Sequence, residues 1–188
     1  FKVVHKQMQE QLANKDKNPA SVFGDTVGYV MGNYHPRRKP VTLEAVKQLE
    51  LDRAFNIYKE RFSNGGQFLF TFVGNFTLDS IRPLVEKYIA SLPSTGKQDT
   101  WKDVGLRYPQ GVINKVVKKG KESKASVRLY FTGNSAAFND LDELQIGQLC
   151  KALGIRLREV LREDAGGVYG VSVSGGLSRE PVNNYSIG

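Results

Sequence analysis

Apolar positions recur at helical spacing through most of the first half of the chain, and polar, proline- or glycine-bearing breaks divide them. Val4, Met8 and Leu12 form one stripe, which predicts a helix over 1–15. The polar run from Asn14 to Pro19 ends it, because proline cannot continue a helix interior. A short helix is expected over 20–34, followed by the stiff loop His35-Pro36-Arg37-Arg38-Lys39-Pro40. Thr42 offers an N-cap, with Glu44 suited to the positive helix end. After Asp52, Phe55, Tyr58 and Phe62 share one face until Asn64-Gly65-Gly66. Residues 67–74 are short and rich in β-formers, so a buried strand is expected there. A helix over about 78–92 turns Ile81, Leu84, Val85, Tyr88 and Ile89 to a core, and places Pro83 near its first turn.

The second half changes period. Val112–Lys119 and the alternating Ala125–Thr132 flank a Lys-Gly-Lys-Glu-Ser-Lys turn, a hairpin pattern. Asp140 and Glu143 resemble a capping box that opens a long helix to about Glu163. Gly166-Gly167 stops it, and Val168–Ser174 alternates as a further strand. The Pro- and Gly-rich stretch around 96–111 is the best boundary, dividing the chain into 1–95, a linker at 96–111, and 112–188. The expected class is α+β: antiparallel β-sheet with helices packed on one face.

Composition narrows the choices. Of 188 residues, 40% are hydrophobic and 10% aromatic, which excludes an intrinsically disordered chain. No apolar run reaches the length of about 18 residues that a membrane span needs. The single cysteine, Cys150, excludes an internal disulfide and a Cys-rich zinc module. The chain starts at Phe1 without a leader pattern, and Asn184–Gly188 reads as the opening of a strand, so it is read as a piece of something longer.

Local chemistry is sparse. His5 and His35 belong to no HxxEH or HxxxH pair, and no cluster has zinc-ligand spacing. No Ser or Cys occupies a nucleophile elbow, and Thr95-Gly96-Lys97-Gln98 lacks the rest of a phosphate loop. The net charge is +8, and Lys115, Lys118, Lys119, Lys121 and Lys124 against Glu122 supply half of it. Such a hairpin either blunts an edge strand with solvated charge or contacts a polyanion or a membrane surface. Phe70-Thr71-Phe72-Val73-Gly74-Asn75-Phe76 looks like the first strand of an RNA-recognition motif. The answering Lys/Arg-Gly-aromatic strand is missing, since 106–114 holds Tyr108 alone, and no nucleic-acid partner is expected.

A different likeness covers most of 30–175. Tyr58-Lys59-Glu60-Arg61-Phe62-Ser63-Asn64, the Phe70–Phe76 run, and Pro83-Leu84-Val85-Glu86-Lys87-Tyr88 through Ser91-Leu92-Pro93-Ser94 follow one another in order. Leu157-Arg158-Glu159-Val160-Leu161-Arg162-Glu163-Asp164-Ala165-Gly166-Gly167-Val168-Tyr169 follows later. Together they resemble the C-terminal half of the pitrilysin/insulinase-type zinc peptidases (peptidase family M16), across the end of the third domain and the start of the fourth. The resemblance implies the metallohydrolase fold that these peptidases share with the mitochondrial processing peptidase, with paired halves enclosing a peptide chamber.

It also implies roles. In the family an Arg at the end of this helix and a Tyr seven positions on reach toward the zinc site, and Arg162 and Tyr169 have that spacing. A guanidinium and a phenol are donors able to hold a peptide carbonyl and favour the oxyanion of hydrolysis. Without the family, Arg162 would complement the negative end of its helix and Tyr169 would be a half-buried strand aromatic. The HxxEH helix and downstream Glu of the family are absent here, so the zinc ligands lie outside this chain, in the N-terminal half or a partner subunit. The chain is therefore expected to hold no zinc and to cleave no peptide alone. Gly166, Gly167, Gly175 and Gly176 flank a strand that in the family could pair with extended peptide. Scaffolding in an inactive pseudo-peptidase is the alternative, with an RNA-binding module behind it. Bacterial relatives are often exported, which points to the periplasm by resemblance only.

Overall fold

The computed structural model describes residues 1–135 and 137–188. Within them the chain divides into two compact units, one of 1–14 and 41–102, the other of 15–40 and 103–188.

The first unit is helical. It holds nearly all of α1 (Lys2–Lys15), with α3 (Leu43–Lys47), α4 (Leu51–Phe62) and α5 (Leu78–Tyr88). Local sequence sets their ends. The Thr42 hydroxyl accepts the Ala45 N–H at 3.2 Å, and Thr77 and Ser80 cap α5 reciprocally. Val46 is the anchor at 1% exposure, and the His5 ring donates from Nε2 to its carbonyl at 2.6 Å. Hence α1 turns His5, Gln9 and Leu12 inward, not the Val4–Met8–Leu12 stripe. In α5, Ile81, Val85 and Ile89 are half-buried, whereas Leu84 and Tyr88 are exposed. Pro83 is not in the first turn but inside the helix, where its missing N–H leaves the Asp79 carbonyl without a helical donor.

Asn64 clamps the segment after α4. Its Nδ2 donates to Lys97 O at 2.8 Å and its Oδ1 accepts the Thr95 N–H at 3.0 Å, so this 7%-exposed amide is satisfied at both ends. The strand expected over 67–74 does not form. After a 3₁₀ turn (Gly65–Gln67) the chain is without a ladder, and Leu69 and Val73 are more than nine-tenths exposed. A strand needs a neighbouring strand for its N–H and C=O groups, and among the described residues 68–73 pair with none. The rings instead form a series, Phe55–Tyr58–Phe62–Phe68 stacked and Phe70 edge-on to Phe68, with successive centroids 4.8–6.5 Å apart.

The second unit holds α2 (Pro19–Met31), α6 (Asp140–Arg158) and three short strands. The Asn18 side chain caps α2 through the Ala20 and Ser21 N–H groups, and Pro19 sits at the first helical position. Strands β1 (Phe131–Asn134), β2 (Gly175–Ser178) and β3 (Asn184–Ile187) form an antiparallel sheet in the order β1-β3-β2. Phe131 pairs with Ile187 and Gly175 with the same residue from the other side. The class is α+β. The lysine hairpin is not observed, because only the end of its second arm enters the sheet and its partner is the distant β3. The strand expected over 168–174 likewise begins later, at Gly175, preceded by the reciprocal Ser174–Gly188 backbone pair at 2.8 Å. Cys150, on α6, is 5% exposed and is the buried apolar side chain of this unit among the described residues.

The accessible surface is 15525 Å², against about 11,000 Å² for two compact domains of this total mass. Apolar side chains of α5 and the 112–130 segment stand open, with Val112, Leu78 and Val127 each more than four-fifths exposed.

Candidate functional site

The site expected from sequence lies at the end of α6. Asn139 caps its start, its Oδ1 accepting the Asp142 N–H at 2.8 Å, and Asp140, Asp142 and Glu143 place three carboxylates beside the positive helix end. The capping box expected from Asp140 and Glu143 does not form: Asn139 alone caps the helix, its Nδ2 also donating to the Asp142 carboxylate, and Glu143 acts elsewhere. Its Oε2 accepts the Leu177 N–H of β2 at 2.5 Å. Gly176 and Ser178 face β3 as the hydrogen-bonded pairs of this ladder, continuing from Ser174–Gly188, so the Leu177 N–H points outward from the sheet edge. Glu143 caps that edge and ties α6 to β2.

At its other end α6 widens. Glu159–Asp164 is a π-helical turn, with Ala165 N–H donating to Val160 O and Gly167 N–H to Leu161 O. Gly166 closes it at φ +58°, a left-handed conformation that glycine adopts without a Cβ clash. Arg162 lies within the π turn and is exposed, and Tyr169, past the glycine pair, is 98% exposed. The side chains of Arg162 and Tyr169 make no hydrogen bond or ion pair with each other or with any other described residue. Neighbouring Arg156 is engaged, donating to Glu159 at 3.2 Å. Two unengaged donors on either side of a tight turn are able to bind an acceptor supplied from outside, such as a peptide carbonyl.

Beside this end, α6 and residues 171–173 line a groove of about 420 Å³ with Cys150, Lys151, Gly154, Ile155, Arg158 and Val171. Residues 171–173 carry no ladder, and Lys151 and Arg158 put two cations in the lining.

The histidines are committed to backbone. His35 donates from Nε2 to Val104 O at 2.8 Å and accepts the Arg37 N–H at Nδ1, while His5 holds Val46. Among the described residues no three His, Cys, Asp or Glu side chains are grouped to hold a metal ion. The strongest electrostatic coupling is Asp103, which takes both Arg107 guanidinium nitrogens and the Gly105 N–H. These hydrogen bonds, that from Arg107 foremost, hold its carboxyl at about 2 instead of 3.8. Arg107 is raised in turn.

Sequence reasoning missed Glu143 as the helix-to-strand tie and Asn64 as the clamp. Asn139 ahead of Asp-Leu-Asp-Glu was a readable capping signal; the reach of Glu143 to Leu177 had none, because it spans 34 residues.

The model of the Peptidase M16 inactive domain matches residues 48–185, most of the chain, and the protein belongs to that family. It is a non-catalytic region of a peptidase-family protein. No curated protein and no solved structure gives a significant match to the sequence.

Proposed function

We propose that this chain is the chamber-closing, non-catalytic part of a zinc metalloendopeptidase of the pitrilysin type, built on the metallohydrolase fold, and that Arg162 and Tyr169 contact the substrate. The observation that carries the reading is the pair of exposed, unengaged donors around the π turn and Gly166 at the end of α6. A guanidinium holds a peptide carbonyl through paired N–H donors, and a phenol adds a third where charge grows on the oxygen during hydrolysis. Such contacts speed the reaction only to the extent that they tighten in the transition state.

The described residues do not fit a zinc site, since both histidines spend Nε2 on backbone carbonyls and no group of three His, Cys, Asp or Glu is found among them. Zinc is therefore assigned to an HxxEH-bearing half, on the same chain or a partner subunit, and the partner of Arg162 and Tyr169 is a peptide. Scaffolding in an inactive relative is the second reading, favoured by the family description as an inactive domain.

Arg162 provides the test. In the full-length protein with its HxxEH half, Arg162→Ala lowers kcat/KM for peptide cleavage about tenfold or more with zinc content unchanged, and Arg162→Lys recovers part of the loss. Unchanged cleavage by Arg162→Ala refutes the contact. A wild-type protein without zinc or cleavage moves the scaffold reading to first place.

A further inference from the structure

A second cavity, of about 360 Å³, lies within the second unit and away in sequence from the α6 terminus. Val22, Thr26, Tyr29 and Val30 line it at the i, i+4, i+7, i+8 spacing of one face of α2. Asp16, Asp25, Tyr34, Pro40 and Lys115 complete the wall. Its volume is at the low end of ligand sites, about 300–1,000 Å³, which suits a single side chain or a small molecule.

Three features give it a chemistry. Tyr29 and Tyr34 meet edge to face, centroids 5.1 Å apart at 85°, so two rings with electron-rich faces border one space. Tyr34 is held there by two successive left-handed residues, Asn33 at φ 50° and Tyr34 at φ 57°, a backbone that a bulky side chain rarely adopts. The Tyr34 N–H donates to Tyr29 O at 2.9 Å, which locks the second ring against the helix that carries the first. The carboxylates differ in state: Asp25 is bound by Lys15 at 2.6 Å, whereas Asp16 makes no hydrogen bond or ion pair among the described residues. Finally, an ammonium is already seated at the wall, since Lys115 Nζ lies 5.8 Å from the Tyr34 ring centroid.

We propose that this cavity binds a primary alkylammonium group, with the Tyr29–Tyr34 pair and Asp16 as its recognition elements and Lys115 as a built-in occupant that the incoming cation displaces. The cation lies against the ring faces, its charge answered by Asp16, and its alkyl stem packs on Val22 and Val30. The shared chemistry belongs equally to a lysine side chain of a partner polypeptide and to a free small amine. This inference is independent of the peptidase reading.

The test uses the 188-residue chain and follows Tyr ring resonances by NMR during titration. The probes are N-acetyl-lysine amide, n-butylamine, a lysine-bearing heptapeptide, and N-acetyl-norleucine amide as the uncharged control. Lys115→Met keeps the alkyl stem, removes the competing charge, and strengthens lysine-probe binding about fivefold. Asp16→Asn, at an exposed position where folding is not at stake, weakens it by a similar factor. The heptapeptide binding more tightly than n-butylamine identifies a polypeptide source, and equal binding identifies a free amine. No saturable shift with Lys115→Met, equal binding of the norleucine control, or indifference to Asp16→Asn overturns the proposal.

Discussion

Removing Glu143 tests how α6 is attached to the sheet. The Glu143 carboxylate is half-buried and accepts the Leu177 N–H, a donor that the antiparallel register turns away from β3. Hydrogen bonds to a charged group contribute about 1.5–3 kcal/mol, and losing the acceptor leaves the N–H partly desolvated, so Glu143→Ala costs about 2 kcal/mol. At about 4 °C per kcal/mol for a domain of this size, the melting temperature falls by roughly 8 °C. Glu143→Gln keeps an oxygen acceptor without the charge and loses about half as much. Gly176 gives an independent route to the same bond, because a Cβ there would lie 3.0 Å from Glu143 Oε1 and push the carboxylate aside. Gly176→Ala and Glu143→Ala therefore fail to add, and a double-mutant cycle returns an interaction energy of about 1 kcal/mol or more. Calorimetric melting reads the stability, and amide exchange at Leu177 reads the bond itself. If Glu143→Ala melts within 2 °C of wild type and leaves Leu177 exchange unchanged, the tie does not hold α6 to β2.

Two other expectations follow from the same kind of reading. Asn64→Ala strands the Thr95 N–H and the Lys97 carbonyl together and costs about 2–3 kcal/mol in urea unfolding, whereas alanine at exposed Asn75 stays within about 0.5 kcal/mol. Asp103 has a folded-state pKa below its unfolded value, so its contribution is present above about pH 4 and is lost as pH falls toward about 2. Asp103→Asn flattens that acid limb of the stability profile and leaves the neutral region without a comparable pH slope.

The helices were legible because their signals are local. Thr42 and the Asn64-Gly65-Gly66 stop each act within one turn of the element they bound. Strands were not, since a ladder depends on partners far away: Phe131 finds Ile187, while the β-rich residues 68–73 find no strand partner among the described residues and stay exposed. Helix faces were misjudged where the anchor was a polar contact, as with His5 on Val46, which rotates α1 away from its most apolar stripe. Arg162 and Tyr169 were reachable through family likeness alone, for no spacing rule predicts a π turn between Glu159 and Asp164. Tyr34 lay in a segment read as plain helix, and its left-handed backbone has no glycine to announce it.

The central claim is that this region touches the substrate without doing the chemistry, and Tyr169→Phe tests it by removing a single oxygen from a side chain that is 98% exposed. A packing role predicts no change from so conservative a substitution at so open a position. The measurement is steady-state peptide cleavage by the full-length protein, with zinc content determined in both forms. The account predicts a fall in kcat of about tenfold or more with zinc retained and stability unchanged. Equal kcat in the two proteins would contradict it.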